Sequence, residues 1–97
     1  MSQSVTTFVG QWLASKRPEE LASMAERDSN LTDQLRPFSM MIKPYKRMVG
    51  DIDISADSLL DYCLANYPDH GLVLMEPKTR SWYKRQIDEL RSYIQSL

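Results

Sequence analysis

The chain holds one cysteine, one histidine and three glycines in 97 residues, and each scarcity removes a class of chemistry. A lone Cys63 can form no intrachain disulfide and anchor no thiolate cluster. With His70 as the single imidazole, the Cys/His ligand set of a structural zinc site is missing. Glycines at 10, 50 and 71 are too dispersed for a phosphate-cradling loop, and no Gly-x-Ser-x-Gly elbow surrounds any serine. The longest apolar runs, Met40-Met41-Ile42 and Leu72-Val73-Leu74-Met75, fall far short of the ~18 residues a membrane span needs. The opening residues 1–7 carry no basic side chain and lead into an amphipathic stretch, unlike a secretory signal. The expectation is a cytoplasmic protein with no membrane segment, no metal or other cofactor and no catalytic residue of its own.

The acidic stretch is the strongest challenge to that expectation. Asp51, Asp53, Ser55 and Asp57 occupy positions 1, 3, 5 and 7 of a would-be calcium loop. Position 6, however, is Ala56 where the sharp turn needs Gly, and position 12 is Tyr62 where a bidentate Glu belongs. Helix capping accounts for the same residues. Asp57 and Asp61 share a helix face, but no nucleophile, base or acid is placed beside them to make a hydrolytic pair.

What the chain does have is enough apolar residue for one core. At 42% hydrophobic and 26% charged it falls within the globular range, and its length allows a single domain spanning residues 1–97. The charge is uneven. Residues 1–48 carry +2, residues 49–77 carry six acids with no Lys or Arg, and residues 78–97 carry +3.

Periodicity predicts a mainly α domain of four or five helices. Ser4 caps a first helix over 4–16, with Val5, Phe8, Val9, Trp12 and Leu13 on one face and Gly10 allowing a close neighbour. Pro18, Glu19 and Glu20 open a second, which ends in the polar run 27–30. Asn30 caps a third carrying Leu31, Leu35, Phe38 and Ile42. Pro37 should bend it near 36–38, ahead of a short piece with Met40, Met41, Tyr45 and Met48. Ser55 caps another helix through Asn66, with His70 in a solvated turn after it. The last begins around Glu76-Pro77-Lys78-Thr79, and its Tyr83, Ile87, Leu90, Ile94 and Leu97 follow heptad spacing. Asp51-Ile52-Asp53-Ile54 and Leu72-Val73-Leu74-Met75 read as strands, so the fold leaves room for one two-stranded ribbon of residues 51–54 and 72–75.

Five Tyr, two Trp and six Met exceed what so small a core absorbs, and Tyr, Trp, Met and Arg are enriched at interface centres. The expected function is therefore non-catalytic. The chain reads as a small adaptor, regulator or accessory subunit that binds another protein through an aromatic and basic face of its last helix. Tyr45, Tyr62, Trp82 and Tyr93 are the expected exposed anchors, with Arg85 and Arg91 as companions and an acidic docking surface on the partner. Met40, Met41 and Met48 suit either a loose core or a groove for a partner helix. A homodimer through the heptad seam is the other arrangement this helix allows. The alternative function is a DNA- or RNA-binding regulator using the same basic helix. The two helices joined across Asp28-Ser29-Asn30, with Ala25, Leu35 and Phe38 at core positions, allow a helix-turn-helix reading, but Thr32, Asp33, Gln34 and Arg36 would hold a phosphate backbone poorly.

Overall fold

The computed structural model describes residues 4–49 and 54–97. Among them are seven α-helices, one 3₁₀ turn and no strand, a small all-α domain. The helices are α1 (Val5–Ala14), α2 (Pro18–Glu26), α3 (Leu31–Leu35), α4 (Ser39–Val49), α5 (Ala56–Asn66), α6 (Pro68–Leu74) and α7 (Pro77–Ser96), with the 3₁₀ turn Arg36–Phe38 between α3 and α4.

Local chemistry sets the helix starts. Ser4, Asn30 and Ser55 each accept a hydrogen bond from the backbone N–H three residues on, at 3.0, 3.0 and 3.1 Å. Each satisfies a donor the first turn would otherwise leave unpaired. Pro18, Pro68 and Pro77 begin α2, α6 and α7, where a missing N–H costs nothing. The bend expected at 36–38 is the 3₁₀ turn holding Pro37. Pro44, by contrast, lies inside α4 on its exposed side, where water can serve the carbonyl that loses its partner.

The expected ribbon does not form. Residues 72–74 are the last turn of α6, and residues 51–53 lie outside the described residues. Pro68 at the first helical position and Asp69 beside it favour a helix start, and Gly71 lets the new helix touch α5 through backbone. The apolar run is then divided by helical geometry: Leu74 is fully buried while Leu72 is 62% exposed.

α7 is the spine of the domain. It contacts α2, α3, α4, α5 and α6, burying Tyr83, Ile87, Leu90 and Ile94 almost completely. Its heptad seam is therefore covered by its own domain, except for the half-buried Leu97 at the end. Gln86 of α7 also accepts from the Leu31 N–H at 3.0 Å, tying down the start of α3. α2 ends in a Schellman motif: Ser29 N–H bonds Met24 O at 3.0 Å and Asp28 N–H bonds Ala25 O at 3.2 Å. This places Asp28 at φ 52°, a conformation Asp tolerates better than most residues. On the other side of the core, α1 packs against both α4 and α5.

Candidate protein-docking groove

The six expected interface residues do not gather on one face. Trp82 is only 3% exposed, and its indole N–H donates to Asp28 Oδ1 at 2.9 Å. It is a core residue, not an exposed anchor. On α7, Trp82, Tyr83, Ile87, Leu90 and Ile94 share the stripe that the other helices cover, so the aromatic side of that helix turns inward. Arg85 and Arg91 remain exposed on the outer side, interleaved with exposed Asp88 and Glu89. Tyr93 is half-buried beneath the Arg36 guanidinium, 5.3 Å from its ring centre. Tyr62 is half-buried against Gly10 and edge-on to Tyr67 at 6.1 Å; burial first, then Tyr67, raises its hydroxyl above the ordinary tyrosine value. Tyr45 is half-buried on Phe8, ring centres 5.8 Å apart. The expected aromatic and basic face of α7 is thus split between core and solvent.

A different apolar surface is left open. Phe8, Gln11, Trp12 and Ser15 follow one another at helical spacing along α1, and Phe38 and Met41 face them from the 3₁₀ turn and α4. Together they line a shallow groove of about 370 Å³. Its floor is an edge-packed aromatic cluster: Phe38 lies 6.4 Å from Phe8 and 6.5 Å from Trp12, at interplanar angles of 61° and 63°. Met41 on the rim is 53% exposed, and neighbouring Met40 81%. Met41 is the one lining residue for which the sequence offered a groove, as the alternative to a loose core. Phe8, Trp12 and Phe38 read as core stripe, because helical spacing does not reveal which part of a stripe a neighbour leaves uncovered.

The stretches of chain that line the groove carry bases but no carboxylate. Residues 1–18 and 34–50, which supply both walls, contain no Asp or Glu. They hold Lys16, Arg17, Arg36, Lys43, Lys46 and Arg47, half of the chain's 12 Lys and Arg. The Lys16 ammonium sits 4.8 Å over the Trp12 ring, and Lys46 donates to the Gln95 carbonyl at 2.6 Å. Arg17 and Arg36 form exposed ion pairs with Glu20 and Asp33 that largely offset their charge. This signal was present in the sequence, but it belongs to two separated segments and emerges only when α1 and α4 are brought together.

The single histidine is tied into the fold. His70 lies in α6, half-buried, with its Nε2 2.7 Å from the Lys16 carbonyl; it is a tie between elements, not the solvated turn residue the sequence suggested. No group of three or more His, Cys, Asp or Glu among the described residues is placed to hold a metal ion. No described helix is long and apolar enough to cross a membrane.

Burial raises the Cys63 thiol from 9.0 to about 11. That leaves about a hundredfold less thiolate at neutral pH. Alkylation by iodoacetamide at pH 8 should therefore run at least about a hundredfold slower in the native protein than in urea; rapid native labelling would contradict this burial. The unfolded chain releases this proton first, so the associated stability is complete below pH 9.0 and is lost as pH rises toward about 11.

No family model, curated protein or solved structure matches this chain.

Proposed function

We propose that this chain is a non-catalytic adaptor, regulator or accessory subunit that binds another protein, and that the groove between α1 and α4 is where the partner docks. One observation carries the reading: an apolar aromatic floor opens between two segments that have six bases and no carboxylate. Apolar burial supplies affinity in such a site, and the surrounding charge selects and orients the partner. Phe8 to Ser15 spans about 10 Å of helix, enough to seat two turns of a partner helix with apolar residues at i, i+3, i+4 and i+7 and carboxylates on its rims. A cytoplasmic setting suits the single unpaired cysteine.

Nucleic acid is the weaker occupant. Base stacking needs open ring faces, whereas these rings pack edge to face and Lys16 covers Trp12. The basic helix α7 carries acids among its exposed bases, and α3 is only five residues long, short for a recognition helix.

The test is a titration with three fluorescent probes: an acidic amphipathic peptide of that spacing, the same peptide with Lys for Glu, and oligothymidine. The acidic peptide should bind best, and Met41→Gln should weaken it at least about tenfold. Because Met41 is exposed, this substitution should leave the fold intact, which circular dichroism will check. Equal binding of the basic peptide, tighter binding of the oligonucleotide, or indifference to Met41→Gln would each sink the proposal.

A further inference from the structure

A second apolar surface lies on the α5–α6 edge, and its chemistry is the complement of the groove. Leu64, Leu72 and Met75 are 38, 62 and 43% exposed. They form one neighbourhood. A Cβ built at Gly71 would lie 3.0 Å from Leu64 Cβ, Met75 is one helical turn beyond Gly71, and Leu72 stands three residues before Met75 on the same helical face. Each has a carboxylate within about a turn: Asp61 precedes Leu64 by three residues, Asp69 precedes Leu72 by three, and Glu76 follows Met75. All three acids are exposed, and residues 49–77 contain no Lys or Arg to neutralise them. Within the described fold, the one ion pair joining this acidic segment to a base is Asp57 with Arg80, at 3.0 Å.

We infer that the α5–α6 edge is a docking surface for the α1–α4 groove of a second copy of this chain. The inference rests on the groove reading and names its occupant. An apolar helical edge flanked by carboxylates is the kind of ligand suited to an aromatic groove with no carboxylate in its lining and the Lys16 ammonium over its Trp12, and one chain presents both. Because the two surfaces differ, the contact is head-to-tail, and the assembly keeps one free groove at one end and one free edge at the other. Both surfaces are small beside the roughly 800 Å² per partner of a stable complex, so association is weak and concentration-dependent. Its rim charges make it weaken as salt rises.

The experiment is sedimentation of the whole chain at concentrations up to about 1 mM, at low and high salt, with Met41→Gln and Leu72→Gln as separate variants. Both substitutions are on exposed helical positions and keep helix propensity, while leaving an amide unpaired at the contact. Wild type should grow beyond monomer with concentration. Each variant alone should need at least about tenfold more protein to associate. An equimolar mixture of the two should regain association and stop at the dimer, since one copy supplies the intact groove and the other the intact edge. A monomeric wild type, an unaffected single variant, or a mixture that does not regain association overturns the inference. If the acidic peptide binds the groove while wild type stays monomeric, only this inference fails; if the peptide does not bind either, the groove reading fails with it.

Discussion

Trp82→Ala should destabilise the domain by about 3–5 kcal/mol, the usual cost of emptying a large aromatic site in a core. The indole is 3% exposed and packs at right angles to Tyr83, ring centres 4.5 Å apart. Its N–H also bonds Asp28, which the left-handed end of α2 holds in place. Truncation therefore opens a cavity and releases the link between α7 and the α2–α3 turn. Domains of this size have only about 5–15 kcal/mol in total, so the urea midpoint should fall sharply. Trp82→Phe should cost less, because it keeps most of the volume and loses chiefly the hydrogen bond. A Trp82→Ala variant with an unchanged midpoint but lost partner binding would return this residue to the surface role its composition suggested.

Gly71→Ala should cost at least about 2 kcal/mol even though alanine favours helix by about 1 kcal/mol over glycine. A Cβ there would stand 2.6 Å from Leu64 Cα and 2.8 Å from Leu64 N. These are backbone atoms of a packed helix, so no rotamer change relieves the contact and the α5–α6 pair must separate. Gly10 provides the comparison. Its Cβ would meet the ring of Tyr62, a half-buried side chain that can turn aside, so Gly10→Ala should lose less. Urea denaturation of the two variants side by side tests the distinction, and equal losses would contradict it.

The helix starts and most of the inner faces were legible before any coordinates. Ser4, Asn30 and Ser55 cap because a side-chain oxygen needs only the N–H three residues ahead, and Pro18 and Pro77 open helices because φ is already set. The α7 seam was legible for the same local reason. α6 was not: four consecutive apolar residues carry no period, and strand and buried helix cannot be separated by such a run. The deciding fact, that Gly71 meets the Leu64 backbone, lies outside that segment. Trp82 was misplaced because composition counts aromatic residues without saying which way each one points.

The groove was partly legible, through Met41 and the excess of aromatic residues. Its walls come from segments some twenty residues apart, so neither its outline nor the absence of carboxylates from both walls exists in any single stretch.

The residues in order determined where helices begin, which stripe of each is apolar, and which catalytic and metal-binding motifs are absent, because those properties depend on side-chain identity and neighbours within a turn. Packing alone decided which portion of each stripe is covered. Burial requires a partner surface from elsewhere in the chain, and α7 takes enough of the available contacts to leave Met41 and its rim on one side, and Leu72 with its carboxylates on another, facing water.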